Sequence, residues 1–84
     1  MIITRIKINK VEKTEKGLVG FASIVLDNKL FLNNIAIFKR LDSEKIRLVF
    51  PEKVSNEKKI KIFFPMTADF YKILEEEVEK KFLE

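Results

Sequence analysis

The stretch Gly17-Leu18-Val19-Gly20-Phe21-Ala22-Ser23-Ile24-Val25-Leu26-Asp27-Asn28-Lys29-Leu30 decides the fold. From Leu18 to Leu26 both parities are apolar: Val19, Phe21 and Val25 on one side, Leu18, Ala22, Ile24 and Leu26 on the other. A strand apolar on both faces reads as central in a sheet. Gly20 within it predicts a bulge or a closely packed neighbour. Asp27-Asn28-Lys29 reads as a tight turn, because Asp and Asn tolerate positive φ and bond their own backbone. Leu30 to Phe38 is then the returning strand, interrupted by Asn33-Asn34.

Working outward, residues 2–11 alternate, with Ile2, Ile6 and Ile8 on one parity and Arg5, Lys7 and Asn9 on the other, a half-buried strand with a basic outer face. Lys13 to Gly17 is a polar turn and Lys39 to Lys45 a charged loop. Ile46 to Phe50 is a fourth strand ended by Pro51, which cannot donate to a ladder. Glu52 to Lys59 reads as a mobile polar loop, and Lys59 to Phe64 as a fifth strand. A helix over 67–83 follows, capped by Thr67, with Asp69 in its first turn and an apolar stripe of Phe70, Ile73, Leu74, Val78 and Phe82. Glu76 with Lys80 and Glu77 with Lys81 are i,i+4 pairs in the favourable order. The predicted class is α+β: an antiparallel sheet of about five short strands (2–64) with one C-terminal helix on one face. Eighty-four residues predict one domain, 1–84, and a core small enough that a homodimer would relieve its marginal stability.

Charge is segregated at Pro65. Residues 1–65 hold fourteen Lys/Arg against seven Asp/Glu, whereas 66–84 hold three against six. A basic body suits a polyanion, because neutralising phosphates releases counterions. Three groups carry the charge: Arg5, Lys7, Lys10 and Lys13; Lys39, Arg40, Lys45 and Arg47; and Lys53, Lys58, Lys59 and Lys61. Charge alone does not separate this reading from plain solubility or from lysines guarding sheet edges. The eight Phe read as core, Phe31 and Phe63 fitting that reading least well. Catalysis has little to work with: there is no His and no Cys, and no Gly-rich phosphate loop. Glu75, Glu76, Glu77 and Glu79 read as a solvated helix face, not a cation site, so no metal, cofactor or small-molecule substrate is expected. The start Met1-Ile2-Ile3-Thr4-Arg5 has no secretory pattern and no apolar run long enough to span a membrane, so a cytoplasmic protein without membrane attachment is expected.

Ile3-Thr4-Arg5-Ile6-Lys7, the stretch from Gly17 to Asp27, Phe31 with Asn34-Ile35-Ala36-Ile37, Phe50-Pro51-Glu52-Lys53 and Ile62-Phe63-Phe64-Pro65-Met66 together resemble the stage V sporulation protein G (SpoVG) septation regulators, in order and over nearly the whole chain. Phe64 stands where that family has a His before the proline. The resemblance implies a small, dimeric, non-catalytic DNA- and RNA-binding regulator linked to septation, sporulation and gene control. It also implies a role for the basic residue after Pro51, here Lys53. Charge and proximity add Lys58, Lys59 and Lys61, and Lys39 and Arg40 complete the predicted nucleic-acid-binding set. The alternative reading is a protein-interaction module of cell division using a sheet edge or the acidic helix.

Overall fold

A computed structural model describes residues 2–12, 16–40 and 45–84. The expected turn at Lys13–Gly17 and loop at Lys39–Lys45 fall partly on 13–15 and 41–44, outside the described residues. The class is α+β, with the elements β1 (Ile3–Lys10), β2 (Leu18–Leu26), β3 (Leu30–Lys39), β4 (Ile46–Val49), β5 (Glu52–Ser55), β6 (Lys58–Lys61) and α1 (Ala68–Phe82). Strands β1 to β4 form an antiparallel sheet in sequence order, and β5 and β6 form a separate two-stranded sheet. The five expected strands are therefore four plus a hairpin.

The β2–β3 turn is built as its residues require, with Asp27 at φ 52° and Asn28 at φ 53°. It is tied to the first strand as well. Ile2 N donates to Asp27 Oδ1 (2.8 Å) and Asp27 N to Ile2 O (2.7 Å). Between Ile3↔Leu26 and Arg5↔Val25 the register shifts, leaving Thr4 as the extra residue of β1. The Thr4 hydroxyl donates to Val25 O (3.2 Å) and accepts from Asn28 N (3.0 Å), using the groups that the bulge leaves over. This bulge corrects the expected parity: Ile3, Ile6 and Ile8 pack on the core, and Ile2 is exposed.

Two more bulges adjust β2 and β3. One lies between Leu18 and Gly20, the other opposite Ala22 and Ile24, where Asn34 takes φ 61°. At Gly20 a Cβ would stand 2.8 Å from the Asn9 carbonyl oxygen, so both expected reasons for that glycine hold. β2 is central, but only one of its faces is buried. Val19, Ala22, Ile24 and Leu26 are in the core while Phe21 is exposed.

The core lies between the sheet and α1: the β2 residues just named with Ile35 and Ile37 of β3, Ile46 and Leu48 of β4, Phe50, and Leu74 and Val78 of the helix. Thr67 caps the helix, its Oγ1 accepting from Phe70 N at 3.1 Å. The apolar stripe differs from expectation at one place. Ile73 is half exposed and Tyr71 takes its role, packing on the core and placing its ring 6.0 Å from that of Phe50. Of the expected i,i+4 pairs, Lys80 instead reaches Glu77 (3.9 Å) and Lys81 reaches Glu84 (3.3 Å).

Tyr71 also closes the outer edge of β4. Its hydroxyl donates to Leu48 O (2.9 Å) and accepts from Leu48 N (3.1 Å), and Glu79 Oε2 accepts from Ile46 N (3.4 Å). Burial raises the Tyr71 pKa above its ordinary 10.0, against the lowering effect of the Leu48 N–H bond, and the nearby Glu75 carboxylate pushes it up further. Tyr71→Phe strands both Leu48 groups and should cost about 1–3 kcal/mol in denaturant unfolding. A phenol whose folded pKa is raised contributes fully below pH 10 and loses its contribution as pH climbs through the folded value. The stability gap between the native chain and Tyr71→Phe should accordingly be flat below pH 10 and narrow above it.

Candidate nucleic-acid interface

Residues 52–61 do not form the mobile loop expected over Glu52–Lys59, and the strand expected over Lys59–Phe64 ends at Lys61. They form a hairpin in register Glu52↔Lys61, Lys53↔Ile60, Val54↔Lys59, Ser55↔Lys58. Its turn places Asn56 at φ 50° and Glu57 at φ 64°, the left-handed pair that matches strand twist in a two-residue hairpin loop. Asn suits that conformation; Glu does not. Ile62 N donates to Pro51 O (2.9 Å) and closes the base. Every residue of the hairpin except Ser55 is exposed. The radius of gyration, 13.1 Å, exceeds the roughly 12 Å of a compact chain of this length, as a projecting arm requires.

Strand alternation sorts the predicted lysines. Lys53 and Lys58 share one face with Ile60, and Lys59 and Lys61 share the other with Val54 and Glu52. The hairpin thus gathers all four in one element but divides them two and two. Lys61 Nζ also sits 3.2 Å from Glu52 Oε1, a surface pair worth about 0–1 kcal/mol, which offsets part of that face's charge.

Lys39 and Arg40 are elsewhere. Lys39 ends β3 of the larger sheet, paired with Ile46, and is half buried. Arg40 reaches toward the helix, its Nη2 3.7 Å from Glu75 Oε2, and its backbone N–H donates to Lys45 O (2.9 Å). These two lie beside the acidic helix, not on the basic arm.

Sequence reasoning reads a basic outer face on β1 but leaves the open face of the four-stranded sheet out of the candidate site. There Arg5, Lys7 and Asn9 of β1, Ser23 and Val25 of β2, and Phe31 and Asn33 of β3 line a groove of about 430 Å³. The alternation of Arg5 and Lys7 in β1 is the signal that could have found it. Phe31, one of the two Phe that fit the core reading least well, is 62% exposed, whereas the other, Phe63, packs against the core.

A family model described as SpoVG matches residues 1–84, the whole chain. The chain belongs to the SpoVG family. SpoVG proteins are regulators linked to sporulation and septation. No curated protein matches the chain. In this SpoVG member, no group of three or more Asp or Glu that could hold a metal ion occurs among the described residues. No helix among them is long and apolar enough to cross a membrane.

The turn of the arm gives a direct check on its geometry. Glu57→Gly removes the left-handed penalty of roughly 1 kcal/mol. It should slow amide hydrogen exchange at the β5–β6 ladder several-fold, leaving exchange in β2 and β3 unchanged.

Proposed function

We propose that this chain is a non-catalytic, nucleic-acid-binding regulator that acts as a homodimer in the cytoplasm, its residues 1–84 forming one domain. The observation that carries this reading is the exposed arm with Lys53, Lys58, Lys59 and Lys61, in a chain whose net charge is +4. An arm with cations on both faces can lie along a groove and meet phosphates on either side, and such phosphate pairing supplies affinity and register more than sequence choice. The absence of His and Cys from the sequence agrees with a role in binding and not in catalysis.

Two features support the dimer. An isolated two-stranded hairpin is marginal in water, and this one exposes Val54 (69%) and Ile60 (52%). Next to it Ile62, Phe64 and Met66 are also exposed, beside an apolar groove of about 150 Å³ lined by Leu26, Leu30, Phe50, Phe63 and Phe70. A second copy that covers Ile60 and the apolar residues beside it would stabilise the arm and leave the opposite face, with Lys59 and Lys61, to nucleic acid in each protomer. Of the surfaces open to the alternative, a protein-interaction module using a sheet edge or the acidic helix, the edge of β4 loses support, because Tyr71 and Glu79 already occupy Leu48 and Ile46 there.

Affinity for a mixed-sequence duplex should fall steeply between low and moderate salt. In Lys58→Ala/Lys59→Ala/Lys61→Ala the slope of log K against log salt should flatten by up to about 2.7 per protomer, near 0.9 for each phosphate no longer neutralised. Undetectable binding of duplex and single strands at low salt would sink the reading. Sedimentation at micromolar concentration should give a dimer mass, shifting toward monomer in Ile60→Ser/Ile62→Ser; a native monomer would remove the dimer from the proposal.

A further inference from the structure

We propose that the open face of the four-stranded sheet is a second site, a groove for single-stranded nucleic acid in which a base stacks on Phe31 and phosphates meet Arg5 and Lys7. The proposal takes from the preceding reading only that the chain binds nucleic acid; its residues are separate from the arm.

The register sets out the groove in rows. Arg5 pairs with Val25 and Val25 with Phe31, so one row crosses three strands from a guanidinium to an aromatic ring. Lys7 with Ser23 forms the next row, and Asn9 with Phe21 the one after. Arg5 and Phe31 are two strands apart, about 9–10 Å between backbones. An Arg side chain reaches a phosphate over that distance when its nucleotide covers the ring. Along β1, Arg5 and Lys7 stand about 7 Å apart on one face, far enough for each to meet its own phosphate.

Chemistry favours a polyanion with flat apolar parts over other occupants. The groove lining holds two cations and no carboxylate. Phe31 is 62% exposed and Phe21 37%, although aromatic side chains give up much when left in water. Phe38, on the same face, shows the contrast: the Arg47 guanidinium lies 5.3 Å from its ring centroid. Ser23 Oγ donates to Asn33 Oδ1 at 2.7 Å, which commits the amide oxygen and presents the amide nitrogen as a donor for a base edge. Stacking on an aromatic with cations tracking the backbone is the arrangement that holds single strands with little sequence preference. A duplex keeps its bases stacked inside and cannot use Phe31 in this way.

The test compares a fluorescent 12-nucleotide oligo(dT) with a mixed-sequence duplex. Phe31→Ala should weaken oligo(dT) binding about tenfold and leave duplex binding unchanged, and Phe31→Trp should restore it. Arg5→Gln/Lys7→Gln should flatten the oligo(dT) salt slope by about 1.4. Because these side chains are exposed, unchanged thermal unfolding of each variant verifies the fold. Native chain that binds duplex but not oligo(dT), or Phe31→Ala that binds oligo(dT) as well as native, overturns this proposal and leaves the arm's role standing. Native chain that binds neither nucleic acid overturns both. A dimer that dissociates in Phe31→Ala assigns the face to a second copy and also overturns it.

Discussion

One helix can cover one face of a sheet, and the described residues hold one helix. That constraint divides the four-stranded sheet into a side buried under Leu74 and Val78 and a side left to water. Residues that alternate along β1 accordingly alternate in chemistry, Ile6 and Ile8 inward, Arg5 and Lys7 outward. Burial of an aliphatic side chain is worth about 1.5–3 kcal/mol, so the inner face sets the register, and a slip of one residue would exchange the two faces. The outer face is free to vary in its chemistry because it carries little of that energy.

The main hairpin and the helix are legible in the sequence because each has an unambiguous local signal. Asp27-Asn28 supplies the turn, and Thr67 with its following stripe supplies the helix start. Of the three bulges, only the one beside Gly20 is announced, by its glycine. Thr4 and Asn34 each move the alternation by one position, and nothing in a period-two pattern announces such an extra residue before the partner strand is known. Hence Ile3 takes the place expected of Ile2. The arm is missed for another reason: its strands bury almost nothing, and Asn56-Glu57 lacks the glycine that marks such turns. Tyr71 is missed because its role comes from Leu48, twenty-three residues away. For the candidate site, sequence finds the four arm lysines but not their division between two faces. It groups Lys39 and Arg40 with them, although Arg40 leans on Glu75.

The charge split at Pro65 acquires a spatial meaning. Acidic side chains of α1 meet cations of the sheet at their boundary, as in Arg40 with Glu75, while Lys10 covers the ring of Phe82 at 4.8 Å. The arm and the open face also carry exposed cations, Lys53, Lys58 and Lys59 on the one and Arg5 and Lys7 on the other.

The plugged edge at β4 limits how copies of this sheet can assemble. A sheet with two open edges can add partners on both sides and grow into a fibre, whereas one open edge permits a single strand-to-strand pairing that uses itself up. With Leu48 and Ile46 bonded to the helix, extension of the four-stranded sheet between copies must go through β1. A pairing of β1 with β1 is symmetric and closed, so assembly by that route ends at two molecules. One phenol and one carboxylate, Tyr71 and Glu79, thus stand where a further strand would otherwise be copied.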